Sequence, residues 1–212
     1  MLKICLFLIL ALYSGFTLSS TKVKISDVAT SESYQNKNSE LQIFIDIFNA
    51  NVKYDDYFKI WSNKYPSSSP SILKALAVAE SKLNPLAISS ENARGLTQII
   101  PSTWKFIKKA IPNLPNDSIG NPSSSINATA YYLNSIFSYW SNLKNKDNRL
   151  KIVLASYNAG IGNIIKANKL SGCSNDYNSL ISHLHKVTGT KNSEQTKTYV
   201  NKVLYILNQT KK

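Results

Sequence analysis

The apolar positions of this chain fall mostly in helical register. Ile4 to Tyr13 is apolar throughout, a run too short for a membrane-crossing helix, which needs about 20 residues. Residues 21–39 are rich in Ser, Thr, Lys and Asn without clear pattern and read as a linker. Helical spacing then begins. Leu41, Phe44, Ile45 and Phe48 share one face, as do Tyr54, Tyr57, Phe58 and Trp61. Pro66 to Pro70 breaks the pattern. Ser69 followed by Pro70 predicts an N-cap with proline at the first helical position. That helix runs to about Leu83, and Pro85 stops it.

Residues 86–101 read as irregular, with Gly95 in the middle. Pro101 opens a shorter helix carrying Trp104, Ile107 and Ile111. Asn121-Pro122 opens a long one whose stripe is Ile126, Ala130, Leu133, Phe137 and Trp140. A further helix covers Leu150 to Tyr157 and closes at Gly160. The last starts near Glu194 and carries Tyr199, Val203 and Ile206. No segment alternates as a strand does. The predicted fold is mainly α, a single domain of short helices around one cleft.

Composition narrows the setting. A chain of 212 residues with 43% hydrophobic content can bury one substantial core. Lys3, the apolar run and the small residues Ser14, Gly15, Thr17, Ser19 and Ser20 form the pattern of a cleaved signal peptide. The predicted organisation is a signal peptide over 1–20, a linker and helical extension over 21–65, and the main domain over 66–212. The predicted location is periplasmic or extracellular. After cleavage only Cys173 remains, so no internal disulfide is available, and no Cys/His cluster suggests a metal or other cofactor. The formal charge of +13 favours a polyanionic partner. Export and the scatter of the lysines point to carboxylate-rich cell-wall polymer and away from nucleic acid. The same charge also suits a lysine-rich surface that keeps the protein soluble.

Three segments carry candidate chemistry. Glu80 falls within the stripe of Leu73, Leu76 and Leu83, the face a helix buries. Burial and the nearby helix C-terminus both oppose ionisation. A carboxylic acid that keeps its proton near neutrality suits protonation of a glycosidic oxygen. The stripe alone favours, on balance, a glutamate at the rim with its head in solvent. Gly95-Leu96-Thr97-Gln98 offers a close backbone approach at Gly95 and an amide at Gln98, or an ordinary loop. Ser156-Tyr157-Asn158-Ala159-Gly160 closes a helix. Tyr157 shares the face of Leu150, Val153 and Leu154, so its hydroxyl needs a buried partner. Neither His183 nor His185 has a metalloprotease context, and no nucleophile elbow or phosphate loop is present.

Together, Glu80-Ser81, Gly95-Leu96-Thr97-Gln98 with Pro101, and Ser156-Tyr157-Asn158-Ala159-Gly160 resemble the soluble lytic transglycosylase catalytic domain. That family shows Glu-Ser, Gly-Leu-Met-Gln with a nearby Pro, and Ala-Tyr-Asn-Ala-Gly in the same order. The resemblance covers roughly 70–205, and Gln195 to Val200 resembles the family's closing Glu-Thr-Arg-x-Tyr-Val segment. It implies a lysozyme-like fold around a glycan-binding cleft. It also implies non-hydrolytic cleavage between N-acetylmuramic acid and N-acetylglucosamine in peptidoglycan, leaving 1,6-anhydromuramic ends. By resemblance, Glu80 is the single catalytic acid. Ser81, Gly95, Leu96, Thr97, Gln98, Tyr157, Asn158 and Tyr199 are the implied substrate contacts. Thr97 in place of Met is expected to alter a packing contact to the sugar. Gln195 in place of Glu is expected to change how the last helix closes the site.

Two other readings use the same residues: a hydrolytic lysozyme, and a non-catalytic peptidoglycan-binding subunit. A role in a secretion or conjugation apparatus is compatible with any of them, with 21–65 as the docking part. The expected enzyme is a monomer.

Overall fold

A computed structural model describes residues 39–111, 113–114 and 119–210. The predicted signal peptide and most of the predicted linker lie outside the described residues. Residues Asn38–Lys212 form one compact unit.

The helices are α1 (39–50), α2 (Asp55–Lys64), α3 (Pro70–Ser81), α4 (Pro101–Ala110), α5 (Pro122–Tyr139), α6 (Lys146–Ala159), α7 (Ile161–Leu170), α8 (Tyr177–His183), α9 (His185–Thr188) and α10 (Thr190–Gln209). Extended structure among the described residues is limited to isolated bridges pairing Arg94 with Ile88 and with Ile99. None of the described helices is long and apolar enough to cross a membrane.

Local chemistry explains the starts. Ser69 Oγ accepts from the Ile72 N–H at 3.2 Å, and the Asn121 side chain accepts from Ser124 N–H at 3.1 Å. Each cap satisfies one orphan donor of a helix that opens with proline. The end of α3 differs from the sequence expectation. The helix stops at Ser81, because Lys82 (φ 54°) and Leu83 (φ 62°) turn left-handed before Pro85 is reached. The last helix begins at Thr190, four residues earlier than its apolar stripe suggests. Helices α7 to α9 have no counterpart in the sequence reading. The shortest, α8 and α9, span seven and four residues and give periodicity little room to show.

The core is built mainly from α3, α5, α6 and α10. Leu73, Leu76, Leu133, Leu154, Val200 and Val203 are fully buried in one cluster. A smaller cluster of Ile99, Trp104, Ile107 and Ala128 seats α4 against α5. Burying a side chain of this size stabilises by about 1.5–3 kcal/mol. Residues 39–65, assigned by sequence to an extension, contribute Ile45, Tyr54 and Phe58 to the main cluster. α10 packs against both α3 and α6. The C-terminal end of α3, the end of α6 and the first half of α10 thus meet at one place.

Candidate active site

Glu80 is the second-last residue of α3. The five apolar residues from Leu73 to Val78 in the preceding turns are fully buried, so the backbone holds the acid rigidly. Its side chain is partly exposed, through a cleft of about 560 Å³ that it helps to line. Packing around the carboxyl strips away most of its hydration. That desolvation raises its pKa to about 7, although the nearby Tyr199 hydroxyl and the positive charge of Lys202 pull it down.

The segment from Gly95 to Gln98 forms a tight loop under the cleft. Gly95 has φ 76°, and a Cβ there would stand 2.5 Å from the Ile119 carbonyl oxygen. Its glycine is required by the protein's own backbone. Leu96 is fully buried, and its carbonyl accepts from Ser81 Oγ at 2.8 Å. Ser81 therefore ties α3 to the loop, and neither residue lines the cleft. Thr97, expected to touch the sugar, is fully buried instead. Its Oγ1 receives the Thr129 hydroxyl at 2.8 Å and meets Ser125 Oγ at 2.7 Å. Gln98 does line the cleft. Its amide Nε2 donates to the carbonyls of Gly95 at 2.9 Å and Ala87 at 3.1 Å, which fixes the side chain.

Tyr157 projects from the end of α6. Its hydroxyl donates to the Thr97 carbonyl at 2.8 Å, the buried partner its position demands. With that proton committed, the oxygen can only accept from the cleft side. Burial, followed by the nearby Glu80 charge, pushes its pKa well above the usual tyrosine range. Asn158 also lines the cleft, and its Oδ1 accepts from Thr196 Oγ1 at 2.9 Å. This bond joins α6 to α10. Tyr199 lies behind the acid. Its hydroxyl is buried and makes no hydrogen bond of good geometry, yet it is close enough to Glu80 to act on the carboxyl as a donor.

The structure thus brings Glu80, Gln98, Tyr157 and Asn158 to one surface, with Tyr199 directly behind. Ser81, Gly95, Leu96 and Thr97 form the frame below. The cleft also contains residues the sequence reading did not single out: Tyr132, Asn163, Lys191, Asn192 and Thr196. The Tyr132 ring packs against that of Tyr157 at 5.9 Å. A signal for one of them was available. Ser125, Thr129 and Tyr132 recur at helical spacing beside the apolar stripe of α5, a polar face on an otherwise buried helix. Glu91, within the irregular stretch 86–101, is exposed and also borders the cleft. Among the described residues, no group of three or more metal-ligating side chains comes together.

Comparisons with known proteins bear on the whole arrangement. The chain is 29% identical over 143 residues to the membrane-bound lytic murein transglycosylase C of Haemophilus ducreyi, covering 63% of this chain and 39% of that protein. It is 30% identical over 102 residues to the protein of the same name from Actinobacillus pleuropneumoniae, covering 46% and 28%. The chain thus spans well under half the length of these relatives. Its fold matches the crystal structure of the 70-kDa soluble lytic transglycosylase from Escherichia coli, with a TM-score of 0.60 and 25% identity. That match covers 74% of this chain and 24% of the other. The transglycosylase SLT domain matches residues 56–180, a span that holds Glu80, the Gly95–Gln98 loop and the Tyr157–Asn158 corner, and the chain belongs to this family.

Proposed function

We propose that this chain is a peptidoglycan lytic transglycosylase that cleaves the β-1,4 bond between N-acetylmuramic acid and N-acetylglucosamine without water. The observation that carries this is a cleft-facing carboxyl whose pKa is raised to about 7. At that value Glu80 is divided between its two forms near neutrality, and one group can serve as acid and then as base. Protonated Glu80 gives its proton to the glycosidic oxygen. The bond from muramic C1 breaks, and its electron pair leaves with that oxygen. The C6 hydroxyl of the same muramic sugar then closes on C1, and its proton passes to the Glu80 carboxylate. The acid is regenerated and no water is consumed.

The surrounding residues take roles that their bonds allow. Gln98 is held rigid by its two backbone contacts, which use both N–H donors, and offers its amide oxygen as an acceptor to the glycan. Tyr157, whose proton is committed, accepts from a sugar hydroxyl or amide. Asn158 shapes the wall, and its tie to Thr196 fixes the width between α6 and α10. The relatives named for murein cleavage support the substrate class. Residues 1–20 support export to the periplasm or beyond.

Glu91 favours one competing reading. A hydrolase places water with a second carboxylate within about 5–9.5 Å of the acid, and Glu91 borders the same cleft. Glu91 is exposed on a loop, whereas the C6 hydroxyl is already tethered beside the reacting carbon. Digestion of purified peptidoglycan in heavy-oxygen water separates the two. Unlabelled 1,6-anhydromuramic ends are expected, and Glu91→Gln should leave that product pattern unchanged. Labelled reducing ends would replace this reading with hydrolysis.

A further inference from the structure

The wall that α10 gives to the cleft presents Lys191, Asn192, Gln195 and Thr196. Lys191 and Gln195 stand four residues apart, so their side chains share one face of the helix. Lys191 is exposed, whereas Glu80 is only partly so, which sets the lysine at the rim and the acid deeper in. Among the described residues that line the cleft, the charged ones are Glu80, Glu91 and Lys191. The Lys191 ammonium has no ion-pair partner among the described residues, where the ion pairs join Lys59 to Asp56, Lys74 to Asp55 and Lys197 to Glu194. Glu194, the acid of the same turn, does not line the cleft and is taken by Lys197 at 2.6 Å. Gln195 adds an uncharged amide. The α10 wall therefore offers one uncompensated positive charge to whatever occupies the cleft. Lys191 also lies beyond the span matched by the family, 56–180.

We infer that Lys191 is a specificity-determining residue, which binds a carboxylate carried on the lactyl arm of muramic acid and so selects acidic substrate strands. The inference rests on the proposed reading of the chain as a peptidoglycan lytic transglycosylase. The sugar rings of that polymer are uncharged and give a cation nothing to neutralise. Its anionic groups sit on the lactyl arm: the carboxylates of the stem peptide where a peptide is attached, and the lactyl carboxylate itself where none is. A lysine at the rim suits a group that projects away from the ring, and it makes the contact without approaching the bond that breaks. Its flexible four-carbon stem and compact ammonium can follow a carboxylate whose position varies, where an arginine fork would demand a fixed one. Glu91, the other exposed charge of the cleft, repels the same carboxylate. The two charges together thus favour one placement of the arm, toward α10.

The test is a cycle between the lysine and the substrate carboxylate. Soluble peptide-bearing glycan strands are compared with the same strands after their stem carboxylates have been converted to methylamides. Strands stripped of peptide, which bear the free lactyl carboxylate, form the third arm. Lys191→Met should raise KM for strands bearing the recognised carboxylate by about two- to fivefold relative to the methylamidated strands, the range of an exposed charge pair. Lys191→Glu should raise it further, and Lys191→Arg should keep most of the preference. The change belongs in KM, because such a contact is made equally before and during bond breaking. A selective loss on peptide-bearing strands identifies a stem carboxylate as the ligand, and one on stripped strands identifies the lactyl carboxylate. Circular dichroism establishes that each variant is folded. An equal rise in KM on methylamidated strands, or no rise on any strand, would overturn the inference. Failure of the underlying reading is distinguishable, since the wild type would then release no anhydromuramic ends from any of the three substrates.

Discussion

The ground beneath the cleft and the corner behind the acid are built on opposite rules. Beneath it, Thr97, Ser125 and Thr129 are fully buried and linked by hydrogen bonds of 2.7 and 2.8 Å. The Tyr157 hydroxyl is fastened to the same place through the Thr97 carbonyl. Behind the acid, the Tyr199 hydroxyl has no bond of good geometry, and Glu80 carries a raised pKa. Buried polar groups are ordinarily paired, because leaving one unpaired costs about 1–3 kcal/mol. The three hydroxyls of the floor meet that rule. The Tyr199 hydroxyl, beside the group that must change its protonation state, does not.

The largest effect should come from removing the acid. Glu80→Gln preserves shape and some hydrogen bonding but cannot donate a carboxylic proton. Cleavage of purified peptidoglycan should fall by at least ~10², while sedimentation with peptidoglycan sacculi is retained. Mass spectrometry of the released fragments measures the loss. Wild-type activity in this variant would remove Glu80 from the mechanism and leave the unpaired corner without a purpose.

How much of this was legible beforehand follows from what kind of signal each part leaves. Glu80 could be placed on a buried face because Leu73, Leu76 and Leu83 mark that face one turn at a time. The N-caps at Ser69 and Asn121 were legible because they act within three residues. The roles of Ser81, Gly95 and Thr97 were not, because each depends on a partner far along the chain: Leu96, Ile119 and Thr129. A glycine that faces a ligand and one that faces a carbonyl look alike in sequence.

The acid also makes stability depend on pH. Its folded pKa is raised from 4.5 to about 7, so between these values the folded chain holds a proton that the unfolded chain has released. Stability from this site is therefore complete below about pH 4.5 and is lost as pH rises through about 7. Glu80→Gln has no such group. Relative to wild type, it should gain ~1–3 kcal/mol on going from pH 4.5 to pH 8. Urea unfolding at the two pH values measures this gain. A constant difference between variant and wild type would mean that the carboxyl is well solvated in the folded protein.

The smallest effects sharpen the contrast between the two regions, because they compare one hydroxyl from each. Thr129→Val keeps the shape of the side chain and deletes the donor to Thr97 Oγ1. Thr97 keeps Ser125 as a partner, so the loss is partial. A stability cost of about 1–2 kcal/mol is expected. Tyr199→Phe deletes a hydroxyl that is equally buried but makes no bond of good geometry. Its removal strands no partner, so it should change stability by less than about 1 kcal/mol. Its functional effect should run the other way. Tyr199 lowers the Glu80 pKa, so Tyr199→Phe should move the cleavage profile toward higher pH, while Thr129→Val leaves the profile in place. Chemical denaturation and pH–rate profiles of the two variants read both quantities. Equal stability costs, or a profile shift in Thr129→Val alone, would show that the floor and the acid corner are one network and that the division between them is false.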